Sequence, residues 1–449
     1  MDANELLKRY AAGERDFRGA YLVRADLMFA ELSLADLYDA DLSCADLYEA
    51  KLSGIKLSGA NLENAHLCRA DLSNGKLFGA KLNFADLYRA DLFRADLFRA
   101  ELSDADLTRA NLTRADMSGA NLTRANLTEA NLSQTNLSDT NLSFATLNAA
   151  KLNGAKLNTA NLSESRLYDA DLTGTKAEKA DLRNAELFGA KLIEANLLEA
   201  DLRNAKLSEA NLTKATLDGT NFSGSNLSRT NLSESSLKKA NLVEANLSEA
   251  TLRKANLKGA KLCDTNLSRA NLTEAILVGA DFSSPKKEAT LERKVSLKHK
   301  CPVTLGRDSS VTLQLYSPFV SRRHATIEID EGGNYIISDR KSTNGIFVNE
   351  QQVNDSMELP DGAKIRIGPF TLFLRGDELE LQNQQASQPT CLSEADLSKA
   401  DLRNANLSGA NLYRANLMEA NLSGANLRGA SFVHANLSGA TMPDGSVHD

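Results

Sequence analysis

An apolar residue occurs at every fifth position from Phe17 to Phe282, without a break in register. The series contains 54 positions, and 49 of them are Leu. The residue two places earlier is small in nearly every repeat and is usually Ala, while the three remaining positions are mostly polar. A period of five does not fit an α-helix, because successive leucines would advance by roughly 500° and spread around its whole surface. It does not fit a continuous strand either, because successive leucines would point to opposite faces. The chain must therefore turn once per repeat and form a solenoid with Leu and Ala along one axis.

The same pattern returns at Leu392 and continues in register to Met442, for eleven further repeats. A block this short has an uncovered Leu/Ala edge, so we expect it to stack on the repeats that end at Phe282 and to complete a single rod. The alternative is an independent small solenoid. At the other end, residues 5–13 predict a short helix, ended by Gly13, that covers the first coil.

Between the two blocks the five-residue register disappears. Short runs typical of β-strands, separated by turn residues, predict a β-sandwich in this part of the chain. The predicted strands are 311–315, 325–329, 334–337, 345–348, 364–367 and 371–374. Residues 283–295 and 379–390 are polar and are interpreted as linkers.

Charge and composition limit the classes of function that the protein can have. The net charge is −7, and segment 285–381 carries as many basic as acidic residues, so the negative charge belongs to the repeats. There, arginines such as Arg89 and Arg94 interleave with Asp86 and Asp91, which favours local ion pairs over a field of one sign and gives no basic surface for nucleic acid. The polar N-terminal start and the lack of a long apolar run predict neither a secretory signal nor a membrane span. Five scattered cysteines indicate unpaired thiols in a reducing cytoplasm, where we expect the protein to be located.

Catalysis is not predicted. The chain has only five histidines, and no glycine-rich phosphate loop, nucleophile elbow or metal-ligand spacing occurs in it. We therefore expect no enzymatic activity, no metal site and no cofactor.

The repeated pattern Ala-Asp/Asn-Leu-X-X closely resembles the pentapeptide-repeat family, as does the Met442-Pro443-Asp444-Gly445 ending. The resemblance implies an all-β fold, a right-handed quadrilateral β-helix with four repeats per coil. It implies a capping segment at 1–16, a solenoid at 17–282 and further repeats at 391–445.

The segment between the blocks resembles the forkhead-associated (FHA) domain, of the bacterial type, over residues 296–378. The resemblance is carried by four motifs in the family's order and spacing: Gly306-Arg307, Ser321-Arg322-Arg323-His324, Asp339 to Asn349 with Ser342-Thr343-Asn344-Gly345 at its centre, and Leu359-Pro360-Asp361-Gly362 leading into Ile365-Arg366-Ile367-Gly368.

This resemblance implies that the domain binds phosphothreonine. The residues implied to contact the phosphate are Arg307, Ser321, Arg322 and Thr343. Asn344 would hold the backbone of the ligand, and Gly306, His324 and Gly345 would shape the loops. The predicted function is a scaffold that binds a phosphothreonine-containing protein in Ser/Thr-kinase signalling. Two alternatives remain: an FHA sandwich that no longer binds, and a DNA mimic that acts on a topoisomerase, as some pentapeptide-repeat proteins do.

Aromatic residues also follow some of the leucines. With 20 residues per coil, Tyr38, Phe78 and Phe98 share one face, and Tyr168 and Phe188 lie on adjacent coils. These side chains should point outward. They either pack on their own neighbours along the rod or form a docking surface, including one for a second copy of the chain.

Overall fold

The computed structural model contains two compact units. One consists of Met1–Phe282 and Thr390–Asp449, and the other of Ser283–Pro389. The structure describes residues 1–283, 293–298, 302–308, 311–315, 320–330, 332–340, 342, 345–368, 370–382 and 390–448.

The first unit is a right-handed quadrilateral β-helix. The residue before each central Leu pairs in parallel with the residue 20 positions later, as Asp41 does with Asn61. The amide of Leu42 donates to the carbonyl of Asn61 (2.7 Å), and the amide of Asn61 donates to the carbonyl of Ala40 (2.9 Å). Each coil therefore contains four pentads, and hydrogen bonds tie every repeat to the coils on either side.

Each repeat ends in a tight turn. In the turn Leu37–Ala40, the amide of Ala40 donates to the carbonyl of Leu37 (3.1 Å), and the third residue, Asp39, has φ 53°. A positive φ at the third residue is the signature of a type II turn. The turn returns every Leu and Ala to the interior, where nearly all of them are fully buried.

Hydroxyl groups replace some of the interior alanines and are satisfied by the backbone. Thr135 Oγ1 donates to the carbonyl of Leu112 in the preceding coil (2.7 Å), whereas Ser165 Oγ donates to the carbonyl of Leu162 in its own turn (2.6 Å). Within the described ranges, every buried side-chain nitrogen or oxygen has a hydrogen-bond partner. The small polar residues therefore fit the alanine position without an unpaired group in the core.

A helix, α1 (Ala3–Ala11), covers the first coil. Asp2 caps its N-terminus by accepting a hydrogen bond from the amide of Glu5 (2.8 Å), so the helix begins before the predicted segment. Leu6 is completely buried against the first coil, and Gly13, with φ 97°, lies just past the helix. Tyr10 fastens the helix by donating its hydroxyl to the carbonyl of Ser33 (2.9 Å).

The C-terminal repeats continue the same solenoid. Asn266 pairs in parallel with Cys391, and the amide of Leu267 donates to the carbonyl of Cys391 (2.7 Å). Across the same junction, Arg269 forms an ion pair with Glu394 (2.8 Å). The Leu/Ala interior therefore runs without interruption from the first block into the second.

The second unit is inserted in the place of two turn residues. Thr390 occupies the small-residue position that would follow the turn starting at Phe282. Its hydroxyl is fully buried and lies 2.7 Å from the carbonyl of Phe282 and 2.8 Å from that of Leu262. The Thr390 hydroxyl thus joins the two segments of the solenoid at this turn.

The second unit is a β-sandwich of two sheets that share one hydrophobic core. Its strands are β1 (Arg293–Ser296), β2 (Val303–Gly306), β3 (Leu313–Gln314), β4 (Ala325–Ile329), β5 (Tyr335–Asp339), β6 (Ile346–Val348), β7 (Gln351–Val353), β8 (Ser356–Leu359), β9 (Lys364–Ile367), β10 (Phe370–Arg375) and β11 (Glu378–Gln382). One sheet has the order β1-β11-β10-β9-β6-β7 and the other β3-β2-β4-β5-β8.

The structure corrects several predicted boundaries in this unit. The predicted strands 325–329 and 364–367 are confirmed, and each of the other four differs by one or two residues at one or both ends. The linkers 283–295 and 379–390 were predicted too long, because β1 and β11 lie partly within them and pair with each other, Val295 opposite Leu379. Leu379 and Leu381 are buried while polar residues separate them, so a half-buried strand resembled a linker.

No helix in the described part of the chain is long and apolar enough to cross a membrane.

Candidate functional site

Two loops at one end of the sandwich are held together backbone to backbone. The first follows β2 and contains Arg307, and the second precedes β4 and contains Ser321 and Arg322. The amide of Arg307 donates to the carbonyl of Ser321 (3.1 Å), and the amide of Asp308 donates to the carbonyl of Arg322 (3.1 Å). These bonds place Arg307 directly beside the Ser321-Arg322 segment.

Gly306 permits this close approach. A Cβ on Gly306 would lie 2.2 Å from the carbonyl oxygen of Arg322 and 2.8 Å from its carbonyl carbon. Both atoms belong to the backbone, so no side-chain rotation could relieve the overlap. The glycine is needed here for space, since its φ is not in the left-handed region.

His324 links the loops from beneath and is completely buried. Its Nδ1 accepts a hydrogen bond from the amide of Ser321 (3.0 Å), so Nε2 carries the proton and donates to the carbonyl of Gly345 (3.1 Å). Its backbone amide donates to Leu305, and its carbonyl accepts from Arg340. One neutral imidazole therefore connects the Ser321 loop to the loop that ends at Gly345, where φ is 70°.

The arginines of these loops point outward. Arg307, Arg322 and Arg323 are exposed, and none of their guanidinium groups forms an ion pair or a hydrogen bond with another residue in the described ranges. Ser321 is half-buried. Adjacent guanidinium groups beside a hydroxyl can bind a doubly charged phosphate through charge-assisted hydrogen bonds.

Thr343 and Asn344, the other two predicted contact residues, lie outside the described residues. Before them in the chain, the carboxylate of Asp339 accepts hydrogen bonds from both the amide (2.7 Å) and the hydroxyl (3.0 Å) of Ser342. Asp339 and Ser342 had no predicted role. The Asp-x-x-Ser spacing is the signal that could have identified this turn.

The solenoid surface carries mixed charge. Arginines and acids at the third turn position pair between adjacent coils, as Arg109 does with Glu129 (2.7 Å) and Arg124 with Asp104 (2.6 Å). The hydrogen bond from Arg109 lowers the pKa of the Glu129 carboxyl. The four described cysteines are free thiols, and burial raises the pKa of the Cys263 thiol to about 11.

The aromatic residues on the solenoid differ in the contacts that they make. Phe78 and Phe98 stack with their ring centres 5.7 Å apart, and the guanidinium of Arg99 lies over Phe98. Tyr38, about half exposed, lies on the same face but has no ring partner in the described residues. Tyr168 donates its hydroxyl to Glu186 instead of contacting the ring of Phe188.

Comparison with protein families identifies both units. The FHA domain model matches residues 303–368. The pentapeptide-repeat model matches overlapping stretches that run from 15–43 to 252–284 and from 390–429 to 415–444.

Similar curated proteins match a short part of the chain. The FHA domain-containing protein FhaB of Mycolicibacterium smegmatis is 35% identical over 74 residues, which are 16% of this chain and 47% of FhaB. The glycogen accumulation regulator GarA of the same species is 42% identical over 72 residues, 16% of this chain and 44% of GarA. The chain spans less than half the length of these relatives.

Among solved structures, the chain is similar to HetL, a pentapeptide-repeat protein involved in heterocyst differentiation regulation in the cyanobacterium Nostoc. The match is 28% identical and covers 76% of this chain and 91% of HetL, with a TM-score of 0.19. The repeat matches extend over more than half of the residues, and the FHA match lies between the two repeat blocks. The chain therefore belongs to the pentapeptide-repeat family and carries an FHA domain inserted within its repeats.

Proposed function

We propose that this protein is a non-enzymatic adaptor whose FHA domain binds phosphothreonine-containing segments of a partner in Ser/Thr-kinase signalling. The observation that carries the proposal is the pair of clamped loops. Gly306 lets the loops meet, and these loops carry the exposed Arg307 and Arg322 close to Ser321 along the backbone.

The chemistry of these side chains suits a phosphate ligand. A phosphorylated threonine carries a charge near −2 and three strong acceptor oxygens. The guanidinium groups of Arg307 and Arg322 would bind these oxygens, with the hydroxyls of Ser321 and Thr343 as further donors. Asn344 would hold the peptide backbone, in the role that the FHA resemblance implies.

Preorganisation supports the same assignment. The loops are held by backbone hydrogen bonds and by the buried His324, so the backbone that carries Arg307, Ser321 and Arg322 loses little freedom when a ligand arrives. Gly306, His324 and Gly345 act on the loops and not on the ligand.

The solenoid suits the role of a rigid support. Its repeats are hydrogen-bonded to both neighbouring coils, and its surface carries polar side chains of both signs. A rod of this kind would present binding partners at fixed spacing along its length.

Binding of phosphothreonine peptides to the full-length protein tests the proposal. In fluorescence anisotropy with an oriented phosphothreonine library, we expect micromolar binding, about −8 kcal/mol, and far weaker binding of the unphosphorylated library. Arg307→Ala should lose at least roughly tenfold in affinity, and Arg307→Lys should recover little because an ammonium cannot reproduce the guanidinium fork.

Arg375→Ala is the matched control. It removes the same charge from the same domain, but the Arg375 guanidinium is already paired with Glu380 (3.4 Å). The control should bind as the wild type does. No preference for phosphorylated peptides, or full binding by Arg307→Ala, would show that the FHA domain is structural only.

A further inference from the structure

In one column of turn residues along the solenoid, arginines follow one another in adjacent coils instead of alternating with acids. Glu49, Arg69, Arg89, Arg109 and Glu129 occupy the same turn position in five consecutive coils. The outer arginines are paired with the acids at the ends, Arg69 with Glu49 (2.8 Å) and Arg109 with Glu129 (2.7 Å). We call Arg69, Arg89 and Arg109 the arginine column.

Arg89, in the middle of the column, has arginines on both sides. The amide of Arg69 donates to the carbonyl of Tyr88 (2.8 Å) and that of Arg89 to the carbonyl of Thr108 (3.0 Å), so the coils are in register here. Adjacent coils lie about 4.8 Å apart, as paired strands do. Glu49 and Glu129 offset the charges of Arg69 and Arg109, whereas Arg89 forms no such ion pair with a described residue, so an anion would interact most favourably at Arg89.

The next two arginines along the chain are also unpaired. No ion pair or hydrogen bond joins the guanidinium of Arg89, Arg94 or Arg99 to another residue that the structure describes. Each lies instead over the aromatic ring that precedes it, 5.2 Å from the centre of Tyr88, 5.1 Å from Phe93 and 5.1 Å from Phe98. All three arginines are exposed.

The rings prepare these arginines for a ligand. A guanidinium group stacked on a ring is held in one orientation, while its donors remain available in its own plane. Less side-chain freedom is therefore lost when an anion binds than with an arginine that moves freely in water. Tyr48 adds a further polar group, since its hydroxyl accepts a hydrogen bond from Arg69 (3.2 Å).

The surrounding charges favour a peptide over a nucleic acid. Asp86, Asp91 and Asp96 precede the leucines of the same repeats, and the whole chain has a net charge of −7. A continuous chain of phosphates would have to pass these carboxylates. A peptide can place its acidic side chains at the arginines and neutral ones opposite the aspartates.

We propose that the arginine column, together with Arg94, forms a second recognition surface that binds a carboxylate-rich segment of a partner protein. This surface lies on the solenoid and does not depend on the phosphothreonine-binding loops. The protein would thereby bind two different anionic segments, one by each unit.

The test uses full-length protein and a fluorescein-labelled peptide of alternating Glu and Ser, with a Gln/Ser peptide of the same length for comparison. We expect the acidic peptide alone to bind, and Arg89→Gln/Arg94→Gln to weaken its binding at least about tenfold. Glutamine is compatible with the backbone, because Gln134 occupies the same turn position with φ 60°.

Arg183→Gln/Arg203→Gln is the matched control. It removes the same two charges, but Asp181 and Asp201 already pair with these arginines at 2.6 and 2.7 Å. This variant and Arg307→Ala should both keep the affinity of the wild type. The proposal is overturned if the wild type does not bind the acidic peptide, if either control loses as much as Arg89→Gln/Arg94→Gln, or if single-stranded DNA of equal charge binds more tightly.

Discussion

Individual residues in this protein are constrained by backbone geometry as much as by burial. In the solenoid, the third residue of each turn has a positive φ, yet most of these positions hold Arg, Glu, Lys, Asp or Asn and only a minority hold Gly. The left-handed conformation is tolerated because the turn is held by hydrogen bonds to the coils around it. In the FHA domain the constraint at Gly306 is the space beside Arg322.

Gly306→Ala tests that steric constraint. The new methyl group would push the Arg307 loop away from Arg322, so we expect the domain to lose about 1–3 kcal/mol of stability, with much weaker binding of phosphothreonine peptides. Hydrogen exchange at the amides of β2 and β4 measures the stability, and anisotropy measures the binding. Gly332→Ala is the control, because its Cβ would meet a side-chain oxygen, Asp330 Oδ1, at 3.3 Å, and its φ is likewise not left-handed. Equal effects of the two substitutions would contradict the steric role of Gly306.

The helix and the strands differ in how far their formation depends on residues that are close in the sequence. The helix α1 forms from local signals, an Asp2 cap and good helix formers, but its purpose is to bury Leu6 on the first coil. The strand β1 is the opposite case. It is the first strand of the domain, and its partner β11 is the last, so the two pair across the full length of the domain's sequence. An edge strand of this kind has little signal of its own.

Leu6→Asp tests the capping role of α1. A carboxylate at this fully buried position would have neither water nor a partner, and the first coil would lose its apolar cover, for a loss of about 3 kcal/mol or more. Thermal unfolding followed by circular dichroism should show a lower Tm. Asn4→Asp places the same charge on an exposed position of the same helical turn and should leave the Tm unchanged. Matching Tm values for the two variants would mean that the helix does not seal the solenoid.

At the scale of the whole molecule, the solenoid is one structure built from two separated segments of chain. The inserted domain replaces only two turn residues between Phe282 and Thr390, and the Thr390 hydroxyl closes the interrupted turn. The coils before and after this point stack in the ordinary register. The solenoid should therefore not need the FHA domain in order to fold.

Excision of the domain tests this conclusion. In the variant, Ser283 is kept, residues 284–389 are deleted and one Gly is placed before Thr390, which restores a four-residue turn with glycine at its third position. We expect the Tm of the solenoid to stay within about 3 °C and phosphothreonine binding to disappear. A direct junction of Phe282 to Thr390 lacks the turn and should destabilise the C-terminal coils. If the variant with the complete turn unfolds as readily as the direct junction, the domain is required for the solenoid.

The solenoid, its interior and the main residues of the FHA loops could be predicted from the sequence alone. A five-residue period repeated without slip admits only a chain that turns once per repeat, and the motifs around Arg307, Ser321 and His324 are short and local. Other features depended on contacts between distant residues. The pairing of β1 with β11, the hydrogen bonds of His324 to two loops, and the closure of the turn by Thr390 all join groups whose separation along the chain carries no local pattern.

The charge pattern shows the same division. The sequence placed Arg89 and Arg94 near Asp86 and Asp91 and predicted local pairs. Some arginines do pair within their own repeat, as Arg183 does with Asp181, but Arg109 and Arg124 pair with acids 20 residues away in an adjacent coil. Among the described residues, only the stacked coils therefore decide which arginines remain unpaired.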